Sequence, residues 1–272
     1  MKKRYLLYLL CLLCLFLILS VTSCARKQPQ DETGKEPRQN ETAGKDYDNG
    51  VYTTAQPKYD DHGWKPMATV VVEQGRISKA YYDEINEDGQ LKSFDQDYLE
   101  RWKERSGENL LSAGPELVKS LLDKQDPDKV DAVSGATSAS EKFKQLTSDA
   151  LEKSPQSEKD DGYHDGLFKA EGKSDDRGWK AYVAVIVEDG KITNAYYDEV
   201  NKETGKLKSF DQEYLSNWKE KSGTNLKEAR PKLIESLIGS QRPGEVDAVS
   251  GATSTSTKFK ELLEEALAPL GE

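Results

Sequence analysis

Two long stretches of this chain repeat each other almost residue for residue. DDHGWKPMATVVVEQGRISKAYYDE at 60–84 returns as DDRGWKAYVAVIVEDGKITNAYYDE at 175–199. LKSFDQDYLERWKERSGENL at 91–110 returns as LKSFDQEYLSNWKEKSGTNL at 207–226. The offset is 115 in the first pair and 116 in the second, because the turn between them gains a residue, NEDGQ against NKETGK. A unit of about 100 residues has the size of a small domain and is too long for one solenoid repeat. The chain therefore reads as two tandem domains, and whatever the first copy folds into the second must fold into as well.

Each copy carries the same local signals in the same order. Asn49-Gly50 and Asp165-Gly166 open a short aromatic strand. β-Branched runs at 68–73 and 182–188 end at Gln74-Gly75 and Asp189-Gly190, which are hairpin signals, and return strands follow at 77–83 and 192–198. Helical spacing then appears around Tyr98-Leu99-Trp102, Tyr214-Leu215-Trp218 and Leu117-Leu121-Leu122. A last helix in each copy aligns Phe143, Leu146, Ala150 and Leu151 on one face, or Phe259, Leu262, Leu263, Ala266 and Leu267. Strands and helices segregate rather than alternate, so the fold class is α+β, an antiparallel hairpin sheet with packed helices, twice.

The ends bound where such a chain works. Residues 1–23 combine a positive start, Met1 to Arg4, with an apolar run from Tyr5, the pattern of an export signal. Val21-Thr22-Ser23-Cys24 resembles a bacterial lipobox, with Val in place of the usual Leu, which makes Cys24 the expected site of lipidation and cleavage. Cleavage removes Cys11 and Cys14, so disulfides are excluded, and with only His62 and His164 left no Cys-ligated metal or haem is expected. Both histidines read as solvated. The formal charge of −10 becomes −13 when Lys2, Lys3 and Arg4 leave with the signal. That balance disfavours nucleic acid, whose phosphates would repel it. Residues 24–47 hold almost no core-forming side chains and read as a disordered tether. The domains then span 48–152 and 163–272, with a polar linker at 153–162.

The most demanding repeat is VDAVSGATS, at 130–138 and unchanged at 246–254. It directly precedes the last helix of each copy, so Thr137 and Thr253 lie at or near a helix N-terminus, where free N–H groups and the helix dipole favour a phosphate. Gly135, Ala136, Gly251 and Ala252 leave the backbone open to close approach. Ser134, Ser138, Ser250 and Ser254 add hydroxyls. An ordinary Ser/Thr cap would account for one hydroxyl per copy but not for nine identical residues.

Asp-Ala-Val-Ser-Gly-Ala-Thr resembles the flavinylation motif of the FMN-binding domain family. That domain is shared with the C subunit of the sodium-pumping NADH:quinone reductase and the G subunit of Rnf complexes. The resemblance implies two covalent FMN groups, each joined as a phosphoester to the threonine of Ser-Gly-Ala-Thr by a separate flavin transferase outside the cytoplasm. Those threonines are Thr137 and Thr253; two positions later the copies differ, Ala139 against Thr255. Asp131 and Asp247 either position the motif for the transferase or its metal ion, or sit in a solvated turn. Of the aromatic residues, Trp64, Trp179 and one member of each pair Tyr81-Tyr82 and Tyr196-Tyr197 are candidates to flank the flavin ring, since adjacent strand residues face opposite ways. LKSFDQ either lines the flavin site or caps the following helix, the latter being preferred. Asp83-Glu84 and Asp198-Glu199 read as charged strand ends.

A lipoprotein signal, a polar tether and two such domains resemble the flavoproteins of Gram-positive extracellular electron transfer. The implied function is a lipid-anchored carrier on the outer face of the cytoplasmic membrane. It would take electrons from a membrane quinol-linked reductase and pass them to ferric iron or soluble flavins. The rival readings are a flavin-dependent reductase acting on its own substrate and a flavin-free binding or signalling lipoprotein. Metabolic labelling with a radioactive fatty acid checks the anchor: the chain should incorporate label, and Cys24→Ala should incorporate none.

Overall fold

In a computed structural model the described residues are 45–157 and 162–268. The export signal, Cys24 and nearly all of the tether lie outside them. Each copy folds as a three-stranded antiparallel meander followed by three helices. In the first copy β1 (Gly50–Ala55), β2 (Trp64–Glu73) and β3 (Arg76–Asn86) precede α1 (Gln96–Ser106), α2 (Leu110–Lys124) and α3 (Thr137–Leu151). In the second, β4 (Gly166–Ser174), β5 (Trp179–Glu188) and β6 (Lys191–Asn201) precede α4 (Gln212–Ser222), α5 (Leu226–Ser240) and α6 (Thr253–Ala266). Among the described residues no helix is long and apolar enough to cross a membrane.

The hairpins are where the turn residues place them. Gln74 and Gly75 have φ of 54° and 75°, and Asp189 and Gly190 have 52° and 76°. Two successive left-handed residues make the tight turn whose twist matches the flanking strands. The middle strands begin earlier than their apolar runs suggest, at Trp64 and Trp179. Asp60 Oδ1 accepts from the Trp64 N–H at 3.0 Å, and Asp175 Oδ1 from the Trp179 N–H at 2.9 Å, so a side chain opens each strand.

The unbroken apolar run of β5 has a tertiary explanation. Val183, Val185 and Val187 face the helices of their own copy, whereas Tyr182, Ala184 and Ile186 join the apolar cluster of the first copy. The strand is buried on both faces because the two copies are docked. The linker shares in this: the Gln156 N–H donates to Val51 O at 2.8 Å, and its side-chain amide brackets the backbone of Asp165 at 2.7 and 2.8 Å.

A side-chain clamp joins helix to sheet identically in both copies. Gln125 ends α2 in the left-handed conformation, and its amide accepts from the Ile77 N–H at 2.7 Å and donates to Ile77 O at 2.9 Å. Gln241 does the same to Ile192, at 2.8 and 3.0 Å. Each glutamine thus stands in for a neighbouring strand at the sheet edge. Gln125→Ala should cost about 1–3 kcal/mol, because it strands a buried donor and acceptor. A chemical denaturation curve resolving the two copies would show the first destabilised and the second unchanged.

Candidate functional site

The repeated stretch builds a turn and then a helix with an open end. Gly135 has φ of 80°, and a Cβ there would lie 2.6 Å from the Ser106 carbonyl oxygen. Gly251, at φ 75°, would meet the Ser222 carbonyl in the same way. Only glycine fits either place. The glycine carbonyl is held in turn by an indole N–H, Trp102 Nε1 to Gly135 O and Trp218 Nε1 to Gly251 O, both 2.9 Å. Ser140 Oγ accepts from the Val133 N–H at 3.0 Å and donates to Ala136 O at 2.9 Å, closing the turn.

The N-cap is Ala136 in one copy and Ala252 in the other, and neither helix end carries a side-chain capping hydrogen bond. Thr137 and Thr253 are the first helical residues and both are exposed. The hydroxyls are therefore free of the usual capping duty, and the first-turn N–H groups present their partial positive charge outward.

In the first copy this helix end opens on a cavity of about 650 Å³, which the stretch from Gly135 to Ala139 lines. One wall is aromatic. Trp64 and Tyr98 meet edge to face with centroids 5.4 Å apart, and Tyr98 and Trp102 at 6.2 Å. Beneath them lies a buried charge network. Glu84, 2% exposed, accepts from Lys92 Nζ at 2.6 Å, Lys142 Nζ at 2.9 Å and the Tyr82 hydroxyl at 2.9 Å. Lys142 also reaches Asp60 at 2.7 Å, and Lys92 Nζ stands 4.7 Å from the Trp64 and Tyr98 ring centroids.

Burial lowers the Lys92 pKa despite the adjacent Glu84 carboxylate. Burial also acts against Lys142, but there Asp60 and Glu84 prevail and its pKa is raised. Desolvation alone would raise Asp60; the Lys142 ammonium and the N–H groups of Trp64 and His62 outweigh it and hold the carboxyl at about 2. At the rim, Arg101 and Arg105 line the cavity, are exposed, and form no ion pair among the described residues. With Asp95 engaged as the cap of α1, the rim is left positive and suited to an anion.

The second copy repeats the framework. Lys208 pairs with Glu199 at 2.6 Å and stands 4.9 and 4.8 Å from the Trp179 and Tyr214 rings, while Lys258 reaches Glu199 at 3.1 Å. It differs at the rim, where Asn217 and Lys221 replace Arg101 and Arg105. Arg177 replaces His62, lies 3.5 Å from Asp175 and 5.8 Å from the Tyr214 ring centroid.

The sequence candidates are distributed unevenly. Gly135, Ala136, Thr137 and Ser138 line the cavity; Ser134 does not. Asp131 is exposed and turned toward Lys124 and Ser120, away from the cavity, and Asp247 is exposed with its N–H on Ser236 Oγ at 2.9 Å. Trp64 is in the wall, but the tyrosine pairs are not: Tyr82 packs on Phe143 and Tyr197 on Phe259 in the cores, while Tyr81 meets Phe168 and Tyr196 meets Phe94 between the copies.

One expectation is corrected. Asp83-Glu84 and Asp198-Glu199 are not charged strand ends but are almost fully buried, each carboxylate satisfied by a cation or hydrogen bond. LKSFDQ takes both roles: Asp95 caps α1, as preferred, and Lys92 and Asp95 also line the cavity. The residues overlooked, Asp60, Lys92, Trp102 and Lys142, all recur in the second copy as Asp175, Lys208, Trp218 and Lys258. Internal identity outside the nine-residue stretch was the signal that would have found them.

The family model for the FMN-binding domain matches residues 63–152 and again 178–268. The 15 kDa lipoprotein of Treponema pallidum (strain Nichols) is 34% identical over 112 residues, 41% of this chain and 79% of that protein. Among solved structures, CPE2226 from Clostridium perfringens is 38% identical, covering 39% of this chain and 87% of its own, with a TM-score of 0.38. A solution structure from Clostridium thermocellum is 25% identical, covering 41% and 97%, with a TM-score of 0.29.

The depressed Asp60 carboxyl has a consequence for stability against pH. Its folded pKa of about 2 lies below the unfolded value near 3.9, so its contribution is present above pH 4 and is lost as pH falls toward 2. Denaturation midpoints of the first copy measured from pH 5 to 2 should fall less steeply in Asp60→Asn than in the native chain.

Proposed function

Because the chain belongs to the FMN-binding domain family, with copies at 63–152 and 178–268, we propose that it is a lipid-anchored electron carrier bearing two covalent FMN groups. The single observation that carries the reading is the position of Thr137, an exposed hydroxyl on the first turn of a helix with no side-chain cap, at the edge of an aromatic-walled cavity.

The residues present fit the group. A cavity of about 650 Å³ falls within the ordinary range for ligand sites. The open helix end with Arg101 and Arg105 suits a phosphate, and Trp64, Tyr98 and Trp102 suit a flat conjugated ring. When bound, FMN supplies one- and two-electron chemistry. The chain's own residues do the rest. Thr137 and Thr253 offer the hydroxyl that a flavin transferase would esterify. The indole N–H groups of Trp102 and Trp218 hold the turn that presents it, and Lys92 and Lys208 bring positive charge under the aromatic wall.

The carrier would work on the outer face of the cytoplasmic membrane of a Gram-positive cell, held by lipid on Cys24. The lipoprotein relative in Treponema pallidum supports the anchor. A membrane quinol-linked reductase would supply electrons, and ferric iron or soluble flavins would receive them. Such encounters need small, short-lived interfaces.

Protein matured with the transferase should carry two flavins by intact mass and fluoresce after denaturing electrophoresis. Thr137→Ala and Thr253→Ala should each lose one flavin, and the double variant both. Fluorescence that survives denaturation in the double variant overturns the attachment.

A further inference from the structure

The buried carboxylates Asp83 and Asp198 occupy equivalent places in the last third of β3 and β6, and each is wholly inaccessible to solvent. Each accepts the N–H of the next residue at 2.8 Å. Each also accepts the N–H of a serine in the following 3₁₀ turn, Ser93 at 3.2 Å and Ser209 at 3.1 Å. These bonds leave a full negative charge in the interior, and a buried charge requires a partner.

The two copies solve this differently. In the second copy, Arg230 of α5 donates from one nitrogen to Asp198 Oδ2 at 3.1 Å and to the Tyr197 carbonyl at 3.3 Å. The equivalent position in the first copy is Gly114, which has no side chain. Its place is taken by Lys169 from β4 of the other copy, which donates to Asp83 Oδ2 at 2.5 Å and to the Tyr82 carbonyl at 3.0 Å. The pair of acceptors is the same, a carboxylate and the preceding tyrosine carbonyl. Lys169 itself aligns with Thr53 in the first copy, so the cation is absent at one position of one copy and stands at another position of its neighbour.

Asp83 sits where the loss would reach the cavity. It ties the end of β3, next to Glu84, to the turn 92–94 that carries Lys92 and leads into α1 with Tyr98 and Trp102. The second copy grips the same turn elsewhere. The Tyr182 hydroxyl donates to Ser93 O at 2.7 Å, Tyr182 stacks on Phe94 with centroids 4.4 Å apart, and the Leu207 N–H donates to Gln96 Oε1 at 2.7 Å.

We infer that Lys169 is a positioning residue for the first copy's cavity, supplying across the domain interface the countercharge that Arg230 supplies within the second copy. Asp83 finds its countercharge only with the second domain docked, while Asp198 finds its own within the second copy. The inference stands on the charge geometry; only its flavin-loading arm rests on the function proposed above.

Hydrogen–deuterium exchange on the full mature chain tests it. Lys169→Met should speed exchange in 84–96 by about a hundredfold or more, the size expected when a buried carboxylate loses its partner, and leave 208–212 unchanged; Leu207 is set apart because its N–H rests on Gln96. Arg230→Met should do the reverse. Gly114→Arg combined with Lys169→Met should restore protection, because a Cβ at Gly114 meets only Leu110 Cδ1, at 4.0 Å, and an arginine has room to start. Lys169→Arg should behave as the native chain.

Matured with the transferase, Lys169→Met should lose flavin at Thr137 and keep it at Thr253, which general unfolding would not do. Unchanged exchange in 84–96, equal loss in both copies, or no rescue by Gly114→Arg overturns the inference. If Lys169→Met does not accumulate, accumulation of the rescued double variant supports the inference and its absence overturns it. A native chain that carries no flavin would refute the proposed function and leave the exchange result standing.

Discussion

A carboxylate kept out of water must be paired, and in this chain four such carboxylates organise the sites. Asp83 and Glu84, with Asp198 and Glu199, lie within the third strand of each sheet, inside the protein. In the first copy Glu84 draws Lys92 from a 3₁₀ turn and Lys142 from the last helix, and Asp83 draws Lys169 from the neighbouring copy; in the second Glu199 draws Lys208 and Lys258, and Asp198 draws Arg230. Such pairs add little net stability against an apolar alternative, but removing one member costs about 3–5 kcal/mol. Their effect is to specify position. The turn, the helix and the strand can meet in only one arrangement that leaves no charge unpaired.

That arrangement sets out the cavity. Lys92 lies under the aromatic wall because Glu84 holds it there, and Lys142 fixes the helix whose first turn carries Thr137. The opposite side of the turn is set by Trp102, whose indole N–H holds the Gly135 carbonyl. Open helix end, aromatic wall and buried cations are thus parts of one network rather than separate features. The same network recurs around Thr253 with Lys208, Lys258 and Trp218.

The copies differ at the rim and at the interface between them. At the rim, Arg101 and Arg105 face Asn217 and Lys221 in the counterpart positions; at the interface, Thr53 and Gly114 face Lys169 and Arg230. The frameworks match, whereas the charges around them do not. Two domains of one framework pair their buried charges unequally.

The order of elements, their class and the two hairpin turns were legible from the residues alone, since each follows from local chemistry: periodicity, Gln-Gly and Asp-Gly turns, and glycine where a left-handed residue is needed. The nine-residue stretch marked its own importance by identity. What local chemistry could not reveal is which side chains meet across distance. Asp60 and Lys142 are 82 residues apart and Lys169 and Asp83 are 86 apart. Nothing near Glu84 in the chain says whether it ends in water or under two ammonium groups. Alternation showed that adjacent tyrosines diverge but not which surface each would find, and the docked second copy claimed Tyr81 and Tyr196. The sequence by itself determined the elements and the hydroxyl at the helix start; the tertiary structure alone decided the partners of the buried charges, because pairing in a low-dielectric interior depends on proximity in space and not on neighbours in the chain.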